Sequence, residues 1–308
     1  MLNEKAKGVF TIAATPFREN GELDLNSLDS AVDFYLSKGA TGLTVLGMMG
    51  EAGKLDAAEA QAVAQRTIER AGVPVVVGVS APGFAQMKAL AVASMDLGAA
   101  GVMVAPPSSL RTNEQILTYY HGVAETLGEI PFVLQDFPLV TNVQVPVSVI
   151  LQIVEDCATC VMLKHEDWPG LEKIAALRGA SQKGSRRISI LCGNGGMFLP
   201  EEMARGADGA MTGFSYPEMM SGVVAAFASG NVEAMHDIFD AYVPLARYEN
   251  QPGLGLAIRK YVLMRRGAIA SAALRTPSPK LSPATVEEVE RLISRQEIAL
   301  ARAGITAL

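Results

Sequence analysis

Lys164 ends an otherwise apolar run, Val161-Met162-Leu163, and Glu166 follows two residues later. In an extended chain residues two apart share a face, so this amine and carboxylate point the same way while His165 points the other. A lysine emerging from an apolar strand is costly unless it is neutral or paired. A neutral amine in a shielded pocket is the nucleophile that Schiff-base chemistry on a ketone requires. A lysine bridging to a carboxylate at the rim is the plainer reading, and the residues alone leave both open. Gln135 closes a second apolar run in Leu134-Gln135-Asp136-Phe137-Pro138. Glutamine moves no protons, but it orients water or a substrate hydroxyl. Asp136 should point away from it, in a capping role.

Three further motifs carry weaker signals. In Gly47-Met48-Met49-Gly50-Glu51 the glycines let backbone N–H groups approach an anion such as a carboxylate, though an ordinary tight turn reads the same way. Gly193-Asn194-Gly195-Gly196 stands ahead of a helical stretch, where a phosphate could sit, but no lysine or arginine accompanies it. Cys157-Ala158-Thr159-Cys160 lacks two more zinc ligands at sensible spacing, because Cys192 and the histidines are scattered. A buried, inert cysteine pair and no metal are the expectation.

Eight short apolar runs must position these groups, at residues 8–14, 41–46, 73–79, 101–105, 131–134, 160–163, 188–191 and 209–212. They are nearly free of charge, as strands buried on both faces should be. Amphipathic stretches alternate with them at 25–37, 57–70, 85–97, 114–126, 147–154, 169–177, 197–205 and 218–228, with Asn26 and Asp29 opening the first. A closed (β/α)8 TIM barrel and a doubly wound sheet both fit eight such units. Strand count and even spacing favour the barrel, and no run is followed by the G-x-G-x-x-G fingerprint. Three more helical stretches follow, at 232–248, 255–266 and 283–302, the last with Ser282 as N-cap and Pro283 at its first position. The expected organisation is a barrel over 1–230 with a C-terminal helical extension over 231–308. In such a barrel catalytic groups stand at the carboxyl ends of the strands, where Gln135, Lys164 and Glu166 fall.

Composition narrows the function classes. The chain has 308 residues, 49% hydrophobic and 19% charged, so a large core is available and wholesale disorder is excluded. A net charge of −6 argues against a nucleic-acid footprint. No apolar stretch approaches the roughly 18 residues of a membrane span. Lys5 and Lys7 precede only a brief apolar run that stops at Thr15-Pro16, which reads as a strand and a turn, not as a secretory signal. With 3 cysteines there is no disulfide framework, and a cytoplasmic location fits.

Taken together, Thr15-Pro16-Phe17, the G-x-x-G-E loop at 47–51, Pro138, Lys164, the Gly193 turn and residues 206–212 resemble the dihydrodipicolinate synthase/N-acetylneuraminate lyase family. The resemblance implies the barrel with its C-terminal helices, a homo-oligomer (tetramer or dimer), and a Schiff base between Lys164 and a 2-keto acid such as pyruvate. It implies substrate contacts at Gly47, Met48, Met49, Gly193 and Met211, and no cofactor.

The chain departs from the family's usual pattern at four places. Gln135 stands where most members carry a proton-relaying tyrosine, Val140 where the synthase has an arginine, Met48-Met49 where two hydroxyl residues are usual, and Pro107-Ser108 in place of a tyrosine pair. Without that hydroxyl relay, dihydrodipicolinate synthesis is disfavoured. Gln135-Asp136-Phe137-Pro138, Lys164-His165-Glu166, residues 209–213, Glu249-Asn250 and residues 267–271 are instead similar to the 2-keto-3-deoxy-arabonate (pentonate) dehydratases. The implied activity is a hydro-lyase acting on a 2-keto-3-deoxy sugar acid, with Glu166 moving the proton. A pyruvate-releasing retro-aldol lyase and a non-catalytic keto-acid-binding member are the alternatives.

Overall fold

The computed structural model describes residues 1–305; the last three residues of the expected 231–308 segment lie outside it. Eight parallel strands close in sequence order: β1 (Gly8–Ile12), β2 (Gly42–Val45), β3 (Val75–Gly78), β4 (Gly101–Val104), β5 (Phe132–Asp136), β6 (Cys160–His165), β7 (Ser189–Cys192) and β8 (Gly209–Ala210). Nearly every strand residue is buried, as a sheet covered by helices on one face and filled by side chains on the other demands. This is the (β/α)8 TIM barrel that the alternating pattern predicts. Closure needs glycine: a Cβ on Gly209, whose φ is 148°, would overlap the Gly8 carbonyl of β1.

Phe10, Ile12, Val76, Met103, Leu191 and Met211 fill the barrel interior, and Leu2 joins them, its amide donating to Ala100 O at 2.7 Å. A second, larger apolar layer lies between strands and helices. Those helices are α1 (Leu25–Ser37), α2 (Ala57–Ala71), α3 (Phe84–Asp96), α4 (Asn113–Leu127), α5 (Pro138–Thr141), α6 (Val147–Asp156), α7 (Leu171–Gln182), α8 (Leu199–Ala204) and α9 (Pro217–Ala228). After them come α10 (Val232–Glu249), α11 (Gly255–Arg265) and α12 (Pro283–Arg302). Among the described residues no helix is long and apolar enough to cross a membrane.

Several boundaries differ from expectation, for identifiable reasons. Strands β5 and β6 run two residues past their apolar runs, because polar residues at barrel strand ends keep their place in the ladder: Gln135 pairs with Lys164 and Asp136 with His165. Helix α1 is capped by Asp24, which accepts from the Ser27 amide at 3.1 Å, not by Asn26 or Asp29. Ser282 caps α12 as expected. Cys157, Cys160 and Cys192 are free and buried, and burial pushes the Cys160 thiol up to about 12.

Candidate active site

The register of β5 against β6 sets Gln135 beside Lys164, and one further extended step carries Glu166 to the same side. The Glu166 backbone is held from both flanks: its amide donates to Asp136 O at 2.8 Å and its carbonyl accepts from Asn194 Nδ2 at 3.1 Å. Its side chain lies against Gly193, whose missing Cβ leaves the space that the Glu166 Cγ occupies. Glu166 Oε2 then sits 3.0 Å from Lys164 Nζ and accepts from Gln135 Nε2 at 2.7 Å. All three side chains are buried, yet all three line a cavity of about 470 Å³ at the carboxyl end of the barrel. The carboxylate is therefore within reach of both the amine and the amide, at a place with room for a small molecule.

The strand-two loop forms another wall. Two successive 3-10 turns, Met48–Gly50 and Ala52–Lys54, follow β2, and Thr15 Oγ1 fixes the first by donating to Gly50 O at 2.7 Å. Met48 and Met49 line the cavity. Gly47 is buried behind them, at the start of the turn. Gly193 contacts the cavity's chemistry only by making room for Glu166, while its neighbours Asn194 and Gly195 line the space. Met211 lies in the apolar interior of the barrel, with Phe10 and Leu191, and is not on the cavity wall.

The outward faces of the same strands carry a different network. Asp136 is wholly buried and accepts from Lys173 Nζ of α7 at 2.8 Å, with His165 Nδ1 at 3.6 Å. His165 Nε2 donates to Gly170 O at 3.1 Å. Asp136 is thus an ion-pair partner that ties β5 to α7, not a cap. A carboxylate buried at such a site is tolerated only with a cation beside it.

Helices α10 and α11 supply a wall that the residue pattern did not reveal. Glu249, Gln251 and Arg259 line the cavity, and Arg259 Nε donates to Glu249. For α11 the sequence signal was two adjacent cations, Arg259-Lys260, in the middle of the helix; a turn of about 100° per residue sends them to different partners. Lys260 reaches Glu51 Oε1 at 2.6 Å and so fastens α11 to the strand-two loop. A wider cavity of about 740 Å³ at the other end of the barrel is lined by the N-terminal residues with Lys5 and Lys7, and contains no acid–base pair.

Residues 5–296 match the model of the dihydrodipicolinate synthetase family. The chain belongs to this family. An L-2-keto-3-deoxyarabonate dehydratase of Azospirillum brasilense is 28% identical over 299 residues, covering 94% of either chain. A 4-hydroxy-tetrahydrodipicolinate synthase of Methanospirillum hungatei is 25% identical over 306 residues, covering 94% of this chain and 99% of that one. A crystal structure described as dihydrodipicolinate synthase from Rhodopseudomonas palustris superposes with a TM-score of 0.94 at 56% identity, over 96% of this chain and 99% of that one. Membership of the dihydrodipicolinate synthetase family gives the barrel an aldolase and lyase kinship that includes a dehydratase as well as synthases.

Proposed function

We propose that the protein is a Schiff-base-forming hydro-lyase that removes water from a 2-keto-3-deoxy sugar acid. The observation that carries this reading is the contact of Glu166 Oε2 with both Lys164 Nζ and Gln135 Nε2, on a cavity whose one hydroxyl side chain, Thr212, already accepts from the Gly195 amide at 2.8 Å. A tyrosine relay has no counterpart there, and Glu166 is the carboxylate within reach of the amine.

In this mechanism Lys164 Nζ adds to the C2 carbonyl and water leaves, giving an iminium that draws electrons from C3. Glu166 takes a C3 proton, and the enamine formed expels the C4 hydroxyl as water with that proton returned. The conjugated iminium takes up water to release the amine and a 2-keto-3-ene acid bearing a C5 hydroxyl. Loss of a C5 proton and protonation at C3 give an enol, which tautomerises to the semialdehyde when C5 is the terminal carbon. Gln135 fixes the Glu166 carboxylate and has no proton to give. Backbone amides of Met48 and Met49 receive the substrate carboxylate, since their side chains cannot donate.

A second reading, pyruvate-dependent synthesis or its reverse cleavage, is favoured by the description of the Rhodopseudomonas relative as a synthase. The reactions differ in product. Incubation with 2-keto-3-deoxy pentonates and hexonates, read by mass spectrometry, should show loss of one water, giving a semialdehyde from a pentonate and a 2,5-diketo acid from a hexonate. Release of pyruvate and an aldehyde, or condensation of pyruvate with aspartate semialdehyde, would decide for the second reading.

A further inference from the structure

Arg259 is 4% exposed and belongs to the cavity wall. Its Nε is committed to Glu249, whose carboxylate also accepts from the Ser215 amide at 3.2 Å and the Ser215 hydroxyl at 2.5 Å. That carboxylate is therefore saturated, while Arg259 Nη1 is buried with no partner and lies over Gly213, where a Cβ would collide with it. A guanidinium offers five N–H donors in a planar fork, and leaving some unmade in the interior is costly. Nη1 itself is closed off against Gly213, but Arg259 also lines the cavity, so a ligand there can engage the remainder of the fork.

Charge on the wall says what kind of ligand that is. Its cations are Lys164 and Arg259, and its carboxylates are Glu166 and Glu249, so the four formal charges cancel. A second substrate carboxylate would find no uncompensated cation, and Val140, half exposed at the mouth, offers none. Neutral hydroxyls, by contrast, meet donors and acceptors in Asn194, Asn250, Gln251 and the fork of Arg259. Building on the Schiff-base reading above, we propose that Arg259, oriented by Glu249, determines specificity by binding the hydroxylated tail of a monocarboxylic 2-keto-3-deoxy acid, and that the cavity rejects the dicarboxylic counterpart.

The test uses Arg259→Lys, which keeps a cation facing Glu249 but removes the fork. Borohydride trapping on Lys164 gives a half-saturating concentration for each keto acid, whatever reaction follows the adduct. Three acids are compared: a 2-keto-3-deoxy aldonic acid, the aldaric acid of equal length, and pyruvate, which has no tail. In the unsubstituted protein the aldonic acid should half-saturate at about tenfold or more lower concentration than the aldaric acid. In Arg259→Lys the ratio of aldonic to pyruvate half-saturation should rise about 10–100-fold, the scale of hydrogen bonds to a charged group. An unchanged ratio, or an aldaric acid that binds as tightly as the aldonic one, overturns the proposal. If Arg259→Lys does not fold, the aldonic–aldaric comparison in the unsubstituted protein decides alone. Absence of any adduct with pyruvate would instead remove the Schiff-base reading itself, a separate outcome.

Discussion

Two lysines are buried against glutamates in this barrel, and they differ in what surrounds them. Lys260 is wholly buried: Nζ reaches Glu51 Oε1 at 2.6 Å and Ala273 O at 2.9 Å, and stands 4.5 Å from the centre of the Phe17 ring. Glu51 also accepts from Lys54 Nζ at 2.9 Å and from the Arg275 amide at 3.1 Å. Desolvation holds Lys260 below the ordinary lysine range, with Glu51 pulling the other way. Lys164 has one charged neighbour, at 3.0 Å, whose oxygen it shares with Gln135, and it faces an open cavity. Burial is common to both lysines. Of the two, only Lys164 has incomplete coordination beside usable space, which suits it to the nucleophile's role proposed above and Lys260 to that of a rivet.

The largest effect should come from exchanging the two lysines' fates. Lys164→Ala should abolish the pyruvate adduct and lower turnover by several orders of magnitude, as loss of a covalent catalyst does, at a smaller cost in stability than Lys260→Met because Glu166 lines the open cavity and keeps Gln135. Lys260→Met should do the reverse. It leaves Glu51 short of a partner and costs about 3–5 kcal/mol of stability, while the folded fraction still traps pyruvate. A well-folded Lys260→Met protein that forms no adduct would break the comparison.

Next in size is Glu166→Gln, which keeps the contacts to Lys164 and Gln135 but cannot carry a proton. Adduct formation should survive and elimination should slow by about 10²–10⁴-fold. Unchanged turnover, measured by product release, would assign the proton transfer to water.

A smaller effect concerns Glu202, a buried carboxyl in α8 with no cation at hand. Burial raises its pKa to about 8, with Cys192 opposing, and its Oε2 has no partner. The folded chain thus keeps this proton up to about pH 8, whereas the unfolded chain releases it in the ordinary carboxyl range. Stability from this group is full below that range and falls as pH rises toward 8. Glu202→Gln should remove the loss, so its melting temperature should gain on the unsubstituted protein between pH 5 and 8. Parallel melting curves across that window would show Glu202 to be ionised in the fold.

The fold was legible because parallel barrel strands must be apolar on both faces, and eight such runs alternating with helices fit few architectures. Lys164, Glu166 and Gln135 were legible as candidates because polar residues at the ends of such runs stand out against them. Asp136 was misread as a cap because its partner, Lys173, lies 37 residues away on another helix. Arg259 escaped notice, and Glu249 stood out only through the likeness of Glu249-Asn250 to the pentonate dehydratases, because an ion pair within a C-terminal helical segment shows nothing in sequence of the cavity it borders. The four-residue α5 was missed because a single turn after Pro138 leaves no periodicity to detect.

Gly193 bears on how this enzyme could be re-engineered. Any side chain there would take the space of Glu166 Cγ, so a randomised library at position 193 displaces the proposed proton carrier before it samples a new substrate. Leu139 and Val140, 64% and 51% exposed on the rim of the cavity, carry no such debt. The slack for evolving new tail preferences lies there, on the short helix after β5, while the glycine on the neighbouring turn stays fixed by the carboxylate it accommodates.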